Sequence, residues 1–77
     1  MITGIKVISS NVDTIGYQAG ALYVRFKHGG AYIYADVPVE FWHKLCTAES
    51  AGQFINQIIK PKFAVQKLEF DPFTEEK

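Results

Sequence analysis

The chain has 77 residues, enough for one domain and too few for two. An apolar fraction of 48% and an aromatic fraction of 14% exclude an intrinsically disordered chain. Eight basic and eight acidic residues cancel, but the last nine residues, 69–77, hold four of the acids and one of the bases. Residues 1–68 therefore carry a net charge of +3, which suits a polyanionic partner without requiring one.

The first half of the chain is predicted to be β-structure. Short β-like runs cover residues 5–9 and 12–17, and residues 21–27 alternate strictly between the two faces of a strand. The sequence His28-Gly29-Gly30 then predicts a turn, because glycine adopts positive φ at no steric cost. Residues 31–35 resume the strand, so 21–35 should form an antiparallel hairpin.

The length of the hairpin loop decides which side chains share a face. A two-residue loop places one group of amphipathic residues on one face: Tyr23, Arg25, Lys27, Tyr32 and Tyr34. The opposite face then collects the apolar residues Leu22, Val24, Phe26, Ile33 and Ala35. A three-residue loop would instead mix the tyrosines with Leu22 and Val24. We favour the two-residue loop because it separates apolar from amphipathic residues.

The second half of the chain predicts two helices and a final strand. Asp36 and Pro38 mark the first helix start, and its apolar stripe is Phe41, Leu45 and Ala48, widened by Trp42 and Cys46. A capping box from Ser50 to Gln53 opens the second helix, which Pro61 ends. Its predicted buried stripe is Phe54, Ile55, Ile58 and Ile59. Residues 63–70 predict the last strand, and residues 71–77 predict a flexible acidic tail beyond a domain of residues 1–70. The fold class is thus α+β, a small antiparallel sheet packed by two short helices. The predicted core is Leu22, Val24, Phe26, Ile33, Phe41, Leu45, Phe54 and Ile58.

Catalytic chemistry finds little support in the sequence. His43 and Cys46 lie three residues apart on the first helix, but a nucleophilic site needs further groups and a zinc site needs three or four ligands. We expect an inward-packed cysteine and a solvated histidine. Asp36 and Glu40 are expected to stabilise the helix N-terminus rather than to act as an acid–base pair. We therefore predict no enzyme activity, no metal and no cofactor.

Location and assembly rest on general features. Cys46 is the single cysteine, so no intramolecular disulfide forms. No signal-peptide pattern and no apolar run of about 20 residues occurs, so we expect a cytoplasmic protein away from membranes. A homo-oligomer would add buried surface to the thin core of so small a domain.

Two sets of residues are candidates for ligand binding. In the first, Tyr23, Tyr32 and Tyr34 could stack on bases while Arg25 and Lys27 meet phosphates. Its alternative is burial of the same face under the helices. The second set is a rim of polar residues to which the sequence assigns no other role, namely Ser9, Ser10, Asn11, Ser50 and Asn56.

An ordered series of residues resembles the KTSC domain, a family named for the C-terminal extension of some lysyl-tRNA synthetases. The series begins with Val7-x-Ser9-Ser10-x-Val12, Ile15-Gly16-Tyr17 and Leu22-x-Val24-x-Phe26. It continues through Gly29, Tyr32-x-Tyr34, Val37-Pro38, Leu45, Ala48-x-Ser50-x-Gly52, Asn56 and Phe63. The position after Tyr17 is often acidic in the family, and here it is Gln18.

The resemblance implies a small free-standing protein of bacterial or phage type with no catalytic residues to carry over. It also implies RNA binding as a candidate function, through the association with synthetases. The leading hypothesis from the sequence is accordingly a non-enzymatic RNA-binding module that uses the tyrosine and basic face. The alternatives are a binder that sequesters a small nucleotide-like ligand, and a protein-interaction domain.

Overall fold

The computed structural model describes residues 4–7, 9–27 and 29–73. One antiparallel sheet holds five strands in chain order: β1 Ile5–Lys6, β2 Val12–Gln18, β3 Ala21–Phe26, β4 Gly30–Tyr34 and β5 Val65–Leu68. Helix α1 spans Val39–Cys46, and α2 spans Ala51–Phe54 and continues directly into a π-helical turn, Ile55–Ile59. The predicted α+β class is confirmed. Neither helix in the described part of the chain has the length and apolarity needed to cross a bilayer.

The β3–β4 hairpin has a three-residue loop, so the predicted register is wrong. Phe26 pairs with Gly30, Val24 with Tyr32, and Leu22 with Tyr34. Gly30 has a φ of 84°, a left-handed conformation that suits the end of a three-residue hairpin loop. Both β4 tyrosines therefore lie on the Leu22 and Val24 side of the sheet, and the tyrosine and basic residues do not share a face.

The helices cover this mixed face and close the core. Its buried members are Val12, Ile15, Leu22, Val24, Tyr34, Val37, Leu45, Ala51, Ile55 and Ile59. Burial of Leu22, Val24 and Leu45 is confirmed, whereas Phe26, Ile33, Phe41 and Phe54 are only half-buried. The two-residue loop was predicted because it separates apolar from amphipathic residues. That criterion is wrong for tyrosine, because a tyrosine can bury its ring and keep its hydroxyl at an edge of the core.

The π-helical turn changes the phase of the second helix. The backbone N–H of Lys60 donates to the carbonyl of Ile55 at 2.7 Å, the five-residue spacing that defines a π-helix. Ile55 and Ile59 are fully buried, while Ile58 is 41% exposed. The predicted burial of Ile55 and Ile59 is therefore confirmed. The prediction of Ile58 as a core residue is wrong, because it assumed regular α-helical geometry through this turn.

The helix starts differ in how they are capped. Ser50 Oγ accepts the backbone N–H of Gln53 at 3.3 Å, which confirms this half of the predicted capping box. In α1 the N-cap is Pro38, without a side-chain hydrogen bond, and Asp36 lies two residues earlier with a φ of 57°. Glu40 occupies the first turn as expected, but Asp36 does not cap the helix.

The end of the described chain packs on the other face of the sheet. Residues Asp71–Phe73, here called the C-terminal strap, follow β5, and Pro72 and Phe73 are buried. A Cβ placed on Gly4 would come within 2.7 Å of the Phe73 ring, so the residue that precedes β1 lies close to the strap. The packed part of the chain extends three residues past the predicted boundary at residue 70. Residues 74–77 of the predicted tail lie outside the described residues.

Candidate ligand-binding site

The hairpin register separates the first predicted set of site residues. Tyr32 and Tyr34 lie on the helix-covered face, whereas Tyr23 and Arg25 lie on the opposite face, paired with Ile33 and Ala31. Lys27 is exposed in the hairpin loop. The predicted stacking surface with tyrosines beside arginine is therefore not formed.

Arg25 is held in a network of contacts on the face of the sheet opposite the helices. Its Nη2 lies 2.9 Å from Asp13 Oδ2, and its Nη1 pairs with the carboxylate of Asp71. The guanidinium also lies 5.5 Å from the centre of the Phe73 ring and donates to Thr14 Oγ1 at 3.0 Å. Arg25 thus ties the strap to β2 and is already engaged by protein groups that a phosphate would have to displace.

The contacts of this network lower the pKa of the Asp13 carboxyl. The hydroxyl of Thr14 donates to its carboxylate at 2.8 Å, and Arg25 adds charge-assisted hydrogen bonds. Both favour the ionised carboxylate and lower the pKa of Asp13 below its ordinary value of 3.8. Asp13 is accordingly a structural anion.

A cleft lies on the other side of the sheet, between the β3–β4 hairpin and the π-helical turn. It consists of two adjoining hollows of about 220 Å³ each, which share Phe26, Gly29 and Asn56. The remaining lining residues are Asn11, Tyr32, Tyr34 and Lys60. We call this feature the hairpin cleft.

The strands provide the aromatic walls of the hairpin cleft. Tyr32 and Tyr34 alternate on β4 and so point to the same side. Phe26 ends β3 and meets Tyr32 edge to face, with ring centroids 5.5 Å apart. Phe26 pairs with Val12 on β2 and with Gly30 on β4, so Gly30 leaves the β4 side of the Phe26 ring without a directly paired side chain. Aromatic surface therefore remains accessible at this end of the hairpin.

The π-helical turn supplies polar groups to the hairpin cleft. Asn56 lies within the turn, and Lys60 follows its last residue. Both residues are exposed, and within the described residues their side chains form no hydrogen bond or ion pair. A π-turn is a rare interruption of a helix and occurs frequently at functional sites. Here it brings an amide and an ammonium group to the same opening.

Tyr34 gives the hairpin cleft its most buried phenol. Only 3% of the residue is exposed, and burial raises the pKa of its hydroxyl, with a further contribution from Tyr32. The phenol therefore stays protonated at neutral pH and can both donate and accept a hydrogen bond. Together with the amides, it can recognise the polar edge of a ligand.

The predicted polar rim divides between structural and cleft residues. Ser9 Oγ accepts the backbone N–H groups of Asn11 and Val12, and Ser50 caps α2. A Cβ on Gly52 would lie 2.9 Å from Ser9 Oγ, so Ser9 also marks the contact between α2 and the loop before β2. Ser10 is exposed and does not line the cleft, whereas Asn11 and Asn56 do.

Each predicted set thus contributes two residues to one cleft, and the sequence analysis missed three others. The sequence pattern assigns Phe26 to the core and Gly29 to the turn, and it does not single out Lys60. The spacing of Asn56 and Lys60, four residues apart on the predicted helix, was the signal that could have identified the lysine.

The predicted cysteine environment also needs correction. Cys46 is exposed rather than packed inward, although partial desolvation of its sulfur raises the pKa of the thiol. A raised thiol pKa leaves less nucleophilic thiolate at neutral pH. No group of three metal-ligating side chains occurs within residues 4–7, 9–27 and 29–73, and His28 lies outside the described residues.

A second and larger hollow, of about 540 Å³, lies beside the C-terminal segment. Arg25, Gly30 and Ala31 form one side, and residues 67–71 form the other. Its charged groups are Arg25, Lys67, Glu69 and Asp71, and Arg25 and Asp71 already pair with each other. Because this pairing neutralises part of the hollow, the hairpin cleft is the better candidate.

Comparison with known proteins supports the sequence resemblance. A family profile described as the KTSC domain matches residues 8–63. The chain belongs to the KTSC domain family.

A protein from Tsukamurella paurometabola is 42% identical over 59 residues, covering 74% of this chain and 88% of its own. An uncharacterized protein from Stutzerimonas stutzeri strain A1501 is 38% identical over 60 residues, covering 75% of this chain and 84% of its own. The crystal structure of a KTSC domain protein from Yersinia pestis superposes with a TM-score of 0.82 at 31% identity, covering 88% of this chain and 99% of that one.

The residues that match the family profile include the lining of the hairpin cleft but not the whole lining of the larger hollow. All residues lining the hairpin cleft, from Asn11 to Lys60, fall within 8–63. The larger hollow takes residues 67–71 from beyond the match. The KTSC-like part of the chain therefore contains the whole hairpin cleft. Gln18, where the family pattern is often acidic, lies at the opposite end of the β-hairpins, beside the β2–β3 turn.

Proposed function

We propose that the protein binds, without turnover, a small ligand that carries one flat ring system with a polar edge, such as a nucleobase. One observation supports this proposal most strongly. The hairpin cleft combines accessible aromatic surface from Phe26 and Tyr32 with the amides of Asn11 and Asn56. Small-ligand sites typically pair aromatic walls with a few polar groups that fix orientation.

The chemistry of the lining residues suits a nucleobase. Aromatic side chains stack on the π-face that every base presents, and such stacking is worth about 1–3 kcal/mol. An asparagine amide offers a donor and an acceptor side by side, which matches the paired donor and acceptor on a base edge. The protonated phenol of Tyr34 adds a further hydrogen-bonding group at the buried end.

The hypothesis of RNA binding stays a prediction, but it has lost the surface on which it was based. That surface required Arg25 beside Tyr32 and Tyr34, and the register places them on opposite faces. The chain also carries no net charge, which gives a polyanion little long-range attraction. These two observations favour the small-ligand alternative.

The proposal can be tested by isothermal titration of the protein with adenosine, guanosine, cytidine and uridine. We expect at least one nucleoside to bind with a stoichiometry of one. Asn56→Ala should weaken this binding about fivefold to tenfold, since a lost hydrogen bond costs about 1 kcal/mol.

The matched control is Gln57→Ala. Gln57 is exposed on the same π-helical turn but faces a different hollow, beside Phe41 and Ile58. This variant should bind as the unmodified protein does. Equal weakening by both substitutions, or no binding of any nucleoside at millimolar concentration, would refute the proposal.

A further inference from the structure

We infer that the ligand is a free mononucleotide, with its base in the hairpin cleft and its phosphate on Lys60. This inference rests on the proposed function and adds the anionic group and the size of the ligand. Three features of the cleft lead to it: its volume, its gradient of burial and the position of its cation.

The volume of the hairpin cleft limits what it can enclose. Each of its two hollows measures about 220 Å³, below the range of about 300–1,000 Å³ of sites that enclose drug-sized molecules, and the whole cleft is larger because the hollows adjoin. One hollow suits one ring system, and a sugar or phosphate attached to that ring extends into the second hollow or toward the opening.

The lining residues of the hairpin cleft range from buried to exposed. Tyr34 is 3% exposed, Phe26 and Tyr32 are half-buried, and Asn56 and Lys60 are exposed. Apolar and phenolic surface thus lies at the closed end, and amide and ammonium groups lie at the rim. This order matches a base whose sugar and phosphate project outwards.

Lys60 is the cation placed to meet that phosphate. It lines the same hollow as Tyr32, Tyr34 and Asn56, and it follows the π-helical turn that holds the asparagine. Its ammonium forms no ion pair within the described residues. Lysine binds phosphate as a flexible point charge, so it can follow an exposed group at the rim.

The same features favour a free nucleotide over a polynucleotide. A single strand needs a row of stacking platforms joined by cations that follow its backbone. Arg25 lies on the opposite face and pairs with Asp13 and Asp71. A strand with one base in the cleft would therefore have to cross to the other face of the sheet and displace these carboxylates to reach Arg25.

The test compares each nucleoside with its 5′-monophosphate on the unmodified protein and on two lysine variants. Lys60→Gln removes the proposed phosphate contact. Lys62→Gln is the matched control, because Lys62 is exposed two residues later but lines the hollow with Phe41 and Pro61. Dissociation constants are measured by isothermal titration at about 50 mM salt, where charge contacts are least screened.

We expect the monophosphate to bind about fivefold to tenfold more tightly than the nucleoside. Lys60→Gln should abolish this ratio between monophosphate and nucleoside affinity, while Lys62→Gln should preserve it. Equal affinity of nucleoside and monophosphate for the unmodified protein would overturn the inference and leave the proposed function standing. Absence of all nucleoside and nucleotide binding would overturn both.

A further arm uses a pentanucleotide to distinguish the free ligand from an RNA strand. A free-mononucleotide site should bind the pentanucleotide no more tightly than the mononucleotide. Much tighter binding of the pentanucleotide, about tenfold or more, would overturn the inference in favour of a strand.

Discussion

At the scale of single residues, neighbours decide what a side chain does. The guanidinium of Arg25 is a group that commonly binds phosphate, yet Asp13, Asp71 and the Phe73 ring surround it. Nothing local in the sequence links positions 25 and 71, because their contact depends on how the chain returns after β5. The sequence could identify Arg25 as notable but not assign its partners.

Acid sensitivity follows from the lowered pKa of Asp13. As pH falls, the unfolded chain takes up the proton first, near 3.8, and the folded protein takes it up at a lower pH. The stability that ionised Asp13 contributes is therefore complete above pH 3.8 and is lost as pH falls from there through the folded pKa.

Asp13→Asn tests this sign. The melting temperature of the variant should lie below that of the unmodified protein near neutral pH, and the gap should narrow as pH falls below 3.8. Thermal unfolding monitored by circular dichroism at a series of pH values measures the gap. A gap that is constant or widens in acid would contradict the assigned role of Asp13.

Reactivity of Cys46 provides a second prediction at this scale. Because the thiol pKa is raised, alkylation by iodoacetamide should be slower at neutral pH than for a free cysteine, although the residue is exposed. Cys46→Ala should keep both the fold and nucleoside binding. Rapid alkylation, or loss of binding by a folded Cys46→Ala variant, would point instead to a functional thiol.

At the scale of elements, local patterns predicted the order of strands and helices but not two details of geometry. Alternation located β3 and β4, and the Ser50 cap located α2, because these signals depend on neighbouring residues. The loop length and the π-helical turn were not predictable, because packing against residues distant in the chain selects them, as the burial of Tyr34 illustrates. These two details shape the hairpin cleft, so the sequence identified four of its seven lining residues as site candidates but did not group them.

The phase of the second helix can be tested with a matched pair of isoleucines. Ile59 is fully buried and Ile58 is 41% exposed. Ile59→Ala should therefore cost about 2–5 kcal/mol, and Ile58→Ala less than about 1 kcal/mol. Denaturant unfolding measures both values.

Ile59→Val keeps this test informative if Ile59→Ala does not fold. It should cost about 0.5–1.5 kcal/mol. A larger loss at Ile58 than at Ile59 would restore the regular helical phase and remove the π-helical turn from the account.

At the scale of the whole molecule, the C-terminal strap completes the second side of the sheet. Helices cover one face, and Phe73 covers part of the other against Thr14 and Gly4. A sheet in a small domain needs cover on its apolar positions, and the strap supplies it beyond the KTSC match. The sequence prediction of a flexible tail from residue 71 rested on the acidic composition of residues 71–77. Composition does not indicate that one aromatic residue, Phe73, is buried.

Truncation after Phe70 should therefore destabilise the protein. It removes the buried Pro72 and Phe73 together with the Asp71 partner of Arg25, and Phe73→Ala alone should cost about 3 kcal/mol. Truncation after Phe73 is the control. Melting temperatures compare the three chains, and an unchanged value for the shorter truncation product would contradict the role of the strap.

The most direct test of the hairpin cleft as the binding site is a titration followed by two-dimensional ¹H–¹⁵N NMR. The ligand is the nucleoside 5′-monophosphate that binds most tightly. We expect saturable shifts at the amides of Gly29, Tyr32, Asn56 and Lys60, with Arg25 and Leu68 on the opposite face unaffected. Shifts concentrated at Arg25 and Leu68, or none at millimolar nucleotide, would contradict it.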